Sequence, residues 1–471
     1  MVMDLLIVIG ALCFLMFVAY RGFSVILFAP VAALGAVLLT DPAAVPAAFT
    51  SLFMDKMVGF ARLYFPVFLL GAVFGKVIEL SGFSKSIVAA VIGVVGSQRA
   101  MLAIVLVCAV LTYGGVSLFV VVFAAYPFAA EMFRAGNIPK RLIPGTIALG
   151  AFSFTMDSLP FSPQIQNIIP TTYFKTTNGA APILGVVGSI FILIIGMTYL
   201  EWRRRQAAKA GEGYGEGHIN EPPPVDTHHL APAAIAFLPL IVVFVVNLIL
   251  GGFPGLFTGV IDASYGTNYD LKLAMDHTIA TPITPIRAVW AVEGALLAGI
   301  LTVFIFAFKK LSSTFAEGSK AAVGGALLAA MNTASEYGFG AVIAALPGFL
   351  AIKEALRAIP NPLVNEAITV TTLAGITGSA SGGMSIALAA MSEQFITAAK
   401  AAGIPMEVLH RVASMASGGM DTLPHNGAVI TLLAVTGLTH KLSYRDIFAV
   451  TVIKTAAVFF VIAFYYSTGL V

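Results

Sequence analysis

Long apolar runs separated by short polar clusters fill this chain. Crossing a bilayer takes about 20 apolar residues, so the runs at 4–20, 22–40 and 60–80 predict three transmembrane helices. The mixed run at 83–97 is too short to cross and predicts a helix on the interface. The stretch 102–111 is apolar but also too short; Thr112-Tyr113-Gly114-Gly115 interrupts it before the run resumes at 116–133. A re-entrant hairpin over 100–133 returns Arg134, Lys140 and Arg141 to the side that holds Lys76, Lys85 and Arg99, as the positive-inside rule requires. A Pro-broken helix at 142–174 then crosses outward, and 180–200 crosses back.

Residues 201–229 are hydrophilic, with Arg203, Arg204, Arg205, Lys209 and Pro222-Pro223-Pro224, and predict a flexible cytoplasmic linker. Past it, 231–250 and 284–308 flank an external loop containing Asp262, Asp270, Asp276 and Lys272. The run 321–350 carries Asn332, Thr333, Ser335, Glu336 and Tyr337 at membrane depth, and a short interfacial piece ends near Pro360-Asn361-Pro362. A second hairpin at 363–402 turns around Thr377-Gly378-Ser379-Ala380-Ser381-Gly382-Gly383, followed by a second broken helix at 404–439 and a last span at 446–468.

One phrase occurs twice in this pattern. Met156-Asp157-Ser158-Leu159-Pro160 recurs as Met420-Asp421-Thr422-Leu423-Pro424, with Ala135-Gly136-Asn137-Ile138-Pro139 and Ala402-Gly403-Ile404-Pro405 as similar lead-ins. Proline removes a backbone donor and clashes with the preceding turn, so Pro160, Pro163 and Pro424 should interrupt helices. Backbone groups freed at membrane depth are tolerated only inside protein or a wet cavity. The expected architecture is therefore an all-α polytopic membrane protein of two inverted-topology repeats, 1–200 and 230–471, joined by the linker 201–229. Each repeat has one re-entrant hairpin and one Pro-broken helix. Lys353, Arg357, Lys400 and Arg411 fall on the outer face in this count, against the rule, with Glu354, Glu366, Glu393 and Glu407 close by.

Composition agrees with a membrane protein: 59% hydrophobic and 10% charged over 471 residues, with mean hydropathy +0.95, against about a quarter charged in soluble domains. Cys13 and Cys108 sit in apolar runs, so neither a disulfide framework nor a cysteine metal site is expected, and no cofactor is implied. No basic surface suits nucleic acid. Met1-Val2-Met3-Asp4 bears an acid, and Arg21 follows the apolar run, which predicts an uncleaved first span and periplasmic termini.

Half-helix N-termini at the breaks offer N–H groups and the positive end of a dipole, and so favour a carboxylate guest. Ser117, Ser158, Ser162, Gln164, Asn167, Ser379, Ser381, Thr422, Asn426 and Tyr113 suit hydroxyl groups on that guest, while Gly114, Gly115, Gly382 and Gly383 permit close approach or helix packing. Asp157 and Asp421 either cap the following half-helices or serve the site. No arginine is in evidence to neutralise an anion, so a co-transported proton or sodium ion is expected. Asp157, Asp421, His425 and Glu336 are the coupling candidates.

Two other classes compete. Ser379 and Ser381 with His425 suggest an intramembrane hydrolase, but Gly378-Ser379-Ala380-Ser381-Gly382 does not centre a serine as a nucleophile elbow does, and no His-Glu-x-x-His motif occurs. A channel leaves the paired acids without a task.

The segments 149–175, 333–349 (with Ala334-Ser335-Glu336-Tyr337-Gly338), 375–383 and 417–426 resemble the gluconate permease family, along essentially the whole chain. Overall the wording is closest to that family's 3-hydroxybutyrate branch. The resemblance implies the ion-transporter superfamily fold, proton-coupled uptake of a small hydroxy-carboxylate across a bacterial inner membrane, and a homodimer moving in elevator fashion.

Overall fold

The computed structural model describes residues 2–21, 23–223, 230–253, 256–272, 278–424 and 426–471. Most of it is helical; among the described residues the strands are confined to two antiparallel ribbons, 252–253 with 257–258 and 268–272 with 278–282, in the loop before residue 284.

Among the described residues, five helices are long and apolar enough to cross a membrane: Pro42–Ser81, Pro182–Lys209, Ala233–Gly251, Arg287–Leu311 and His440–Thr468. Phe315–Ala345 and Pro347–Leu356 form a sixth candidate bent by 83°, because Pro347 cannot continue the helix before it. Val2–Tyr20 and Val25–Thr40 are shorter apolar helices. Large apolar side chains such as Leu39, Ile194 and Ile305 are more than half exposed on the outer faces, as lipid contact requires.

The order of elements repeats. Val2–Tyr20, Val25–Thr40, the long helix ending in Asp55–Ser81 and the short Phe83–Val95 lead to a hairpin, Ala100–Tyr113 with Leu118–Ala135. The interrupted helix Ile143–Ala151, Phe154–Asp157, Ile165–Phe174 and the closing helix Pro182–Lys209 follow. In the second half the same order runs Ala233–Gly251, Arg287–Leu311, Phe315–Ala345, Pro347–Arg357, then the hairpin Pro362–Thr377 with Ala380–Ala401. Its interrupted helix is Met406–Gly418, Gly419–Thr422, Gly427–Thr436, and its closing helix is His440–Thr468.

Packing exchanges in the same manner. Val2–Tyr20 packs on Pro347–Arg357, while its counterpart Ala233–Gly251 packs on Phe83–Val95. Val25–Thr40 packs on Phe315–Ala345, and Arg287–Leu311 packs on Asp55–Ser81. The long helices Asp55–Ser81 and Phe315–Ala345 meet each other, as do the two closing helices. Swapping the halves carries each of these contacts into another of them.

The segment expected to be a flexible linker from 201 onward differs. The closing helix Pro182–Lys209 runs past residue 200, held there because Arg203 pairs with the buried Asp446 at 2.6 Å. Beyond it, residues 211–223 form a docked strap, and the rest of that segment, 224–229, lies outside the described residues. Arg141 grips Glu212 at 2.6 Å, and Lys140 reaches Glu221 at 2.7 Å and the Ile219 carbonyl at 2.9 Å. Arg134 also pairs with Glu221, and Asn220 donates to the Ala434 carbonyl at 2.9 Å. Charge complementarity with the 134–141 turn supplies what hydropathy alone did not reveal.

Candidate functional site

Proline shapes both interruptions. In the first half, helix stops at Asp157, Pro160 and Pro163 hold the chain open, and Phe161 takes a left-handed φ of 63°. Helix resumes at Ile165. In the second, a tight turn over Gly419–Thr422 precedes Pro424, and Asn426 restarts the helix by accepting from the Ala428 N–H at 2.7 Å.

The hairpin tips reach these breaks. Tyr113 donates its hydroxyl to the Pro160 carbonyl at 2.9 Å, and Gln164 donates to the Thr112 carbonyl at 2.7 Å. Gly115, with φ 92°, lies where an added Cβ would meet Pro163 at 3.3 Å. At the other tip, Asp421 accepts from the Ala380 N–H at 3.0 Å, and Asn426 donates to the Gly378 carbonyl at 2.8 Å. Asp421 thus caps the second helix of its hairpin, not the half-helix that follows it. The breaks are joined directly: Gln166 donates to Asp421 Oδ2 at 2.8 Å.

Asp157 is 1% exposed, and its Oδ2 lies 2.8 Å from Lys454 Nζ, itself 1% exposed. Ser158 donates to the other oxygen at 2.9 Å. Lys454 also donates to the Phe152 carbonyl at 2.7 Å and to the Gly418 carbonyl. Gly418 must be glycine here, since a Cβ would collide with the Asp157 carboxylate.

The expectation that no arginine stands near the breaks is corrected by Arg411. Instead of facing outward, it is fully buried and donates to the Asp157 carbonyl at 3.1 Å, Asn167 Oδ1 at 3.0 Å and the Ala180 carbonyl at 2.7 Å. Its Nε has no partner, and among the described residues no carboxylate pairs with it. His410 beside it is buried between Thr176 at 2.7 Å and Asn167 at 3.2 Å, and Ser414 addresses the Asp157 and Gln166 carbonyls. These donors supply what the first break's backbone lost with its helix.

Glu336, on the long helix Phe315–Ala345, sits against the second hairpin tip: a Cβ on Gly382 would overlap its carboxyl group. Glu336 Oε2 is buried without a hydrogen-bond partner. Ser379 caps the hairpin's second helix through the Gly382 N–H at 3.1 Å, and Ser381 lies 3.4 Å from Thr333 on the same long helix.

Other predicted positions are occupied locally. Ser162 donates to the Thr155 carbonyl at 2.7 Å, Asn167 to the Ser162 and Asn178 carbonyls at 3.0 and 2.7 Å, and Thr422 shares a proton with Thr451 at 2.6 Å. Gly114 abuts Leu240 and Gly383 the Ala374 backbone, both matters of helix packing, while Ser117 stands apart beside Gly75. His425 lies outside the described residues.

A helical membrane protein with buried charges gathered at broken helices is the class that the fold and site define. Its family is shown by sequence. The chain is 58% identical over 479 residues to the "Uncharacterized transporter YxjC" of Bacillus subtilis (strain 168), covering 100% of both, and it belongs to that transporter family. Its structure is similar, with a TM-score of 0.49 at 15% identity over 91% of this chain and 90% of the other, to the Alcanivorax borkumensis YdaH transporter, whose crystal structure is described as having an unusual topology. No protein-family model matches the chain.

Proposed function

We propose that this transporter is a secondary carrier of the gluconate permease type. It moves a small hydroxy-carboxylate, such as 3-hydroxybutyrate or gluconate, together with a proton across the bacterial inner membrane. Two inverted halves alternate access to the joined breaks, in a homodimer with periplasmic termini.

The observation that carries this reading is Arg411, a fully buried guanidinium with an unpartnered Nε and, among the described residues, no carboxylate paired with it. An unpaired buried charge is costly, and an arriving carboxylate offsets it with the bidentate geometry arginine favours. The formal charges of Asp157, Asp421, Arg411 and Lys454 cancel, and an ionised Glu336 adds one negative charge, so a monoanion entering this dry centre favours neutralising that carboxylate. A proton does this, and Glu336 is its carrier because it lies against the hairpin tip at Gly382 with Oε2 buried and unpartnered; Glu366, whose two oxygens are also buried without partners, lies farther from the tip along Pro362–Thr377. A sodium-coupled carboxylate or amino-acid carrier is the alternative.

Uptake by proteoliposomes of gluconate, 3-hydroxybutyrate, lactate and D-serine tests the reading. One of the hydroxy-acids should accumulate under an inward proton gradient at constant sodium, and a protonophore should abolish the accumulation. Accumulation that survives the protonophore and follows sodium instead would replace the proton by the alternative ion.

A further inference from the structure

We propose that the two helix breaks build a cation site and that Lys454 fills it with its own ammonium, where a carrier of this design would otherwise hold a sodium ion. The inference rests on reading the chain as a carrier, and it specifies that carrier's relation to sodium.

The surroundings of Lys454 Nζ are those of a bound ion. The Phe152 carbonyl lies 2.7 Å away, the Asp157 carboxylate 2.8 Å away, and the Gly418 carbonyl completes the set. Phe152 is the residue on which the half-helix Ile143–Ala151 ends, and Gly418 is the last residue of Met406–Gly418. Carbonyls near such ends lie at the negative pole of the helix dipole, although at Gly418 the chain passes directly into the turn Gly419–Thr422. Broken helices in membrane carriers coordinate sodium with these groups, and a carboxylate supplies the formal charge that a hard cation needs. One half of the molecule contributes Phe152 and Asp157, the other Gly418, so the seat exists only where the two breaks meet.

The lysine comes from elsewhere, from the closing helix His440–Thr468. An ammonium has three donors and no acceptor; Lys454 gives two to the Phe152 and Gly418 carbonyls and stands in ion-pair contact with Asp157. Lys454 is thus enclosed by oxygens of its own chain, which distinguishes it from Arg411 with its spare Nε. Its role is that of a tethered counter-ion: it holds the breaks together and makes a free cation unnecessary there.

The test is a sodium response of the purified protein, with no substrate present. Wild type and Lys454→Ala are prepared in parallel in sodium chloride and in choline chloride, and thermal unfolding and monodispersity are followed as sodium replaces choline. Wild type should unfold at the same temperature in both salts. Lys454→Ala should be recovered better in sodium and show a saturable rise in midpoint of several degrees, which Asp157→Asn added to it abolishes. A monodisperse Lys454→Ala indifferent to sodium overturns the proposal, as does a wild type that responds as strongly as the variant. Lys454→Gln is read in the same way. Failure to recover either variant in sodium also counts against the site, because an ion able to enter it would restore the charge balance. Absence of uptake by wild type would remove the carrier reading and leave these sodium responses unaffected.

Discussion

Replacing Asp157 by Asn isolates the charge at the centre of the site. The amide keeps the shape of the side chain and can still accept a hydrogen bond, but Lys454, 1% exposed, loses the carboxylate 2.8 Å away. Removing one member of a buried pair costs roughly 3–5 kcal/mol. The two carbonyls that remain on Lys454 place the loss near the lower end, so a destabilisation of about 3 kcal/mol, roughly a hundredfold in the folding equilibrium, is expected. Lys454→Met should cost a similar amount by stranding Asp157. The double variant should return to within ~1 kcal/mol of wild type, since neither charge is then left alone. Denaturant unfolding in detergent without sodium reads all four proteins, and vesicle uptake should be lost in all three variants. A double variant whose loss equals the sum of the single losses would refute the pairing, and normal uptake by Asp157→Asn would remove the acid from the mechanism.

Two further outcomes follow from the surrounding groups. Glu336→Gln keeps the shape of the side chain, one of whose oxygens is already unpartnered, and should fold and keep substrate counterflow while losing proton-driven accumulation; retained accumulation would move the proton to another group. At the strap, burial pushes the Glu221 carboxyl up, but hydrogen bonds from Lys140, Arg134 and Tyr214 outweigh it and hold it below its ordinary value of 4.5. The stability it contributes is therefore complete above the ordinary glutamate range and is lost as pH falls through the lowered value. Glu221→Gln should loosen the strap at neutral pH by about 1–2 kcal/mol, discounted for the partial exposure of Glu221. Faster hydrogen exchange over 211–223 would show it, and exchange unchanged from wild type would count against the anchor.

How far the site was legible in the sequence depended on whether a group is repeated. Asp157 and Asp421 stood out because a polar phrase inside apolar sequence occurs twice, and the Gly-rich hairpin turns were visible for the same reason. Arg411 and Lys454 have no such duplicate. Arg411 lies on Met406–Gly418 with His410, Ser414 and Ser417, a polar stripe at helical spacing that reads like a solvated face. That stripe instead faces the Asp157, Gln166 and Ala180 carbonyls of the other half. Lys454 was the more accessible of the two, since a single lysine inside a span is a functional candidate by default.

The exchange between the halves is unequal in kind. The second half gives the first break two cations, Arg411 and Lys454, whereas the first half gives the second break the neutral amide of Gln166. Near-identical phrases are thus given different surroundings by groups lying outside them: Asp157 meets the ammonium of Lys454 directly, whereas Asp421 accepts from Gln166, Asn426 and the Ala380 N–H.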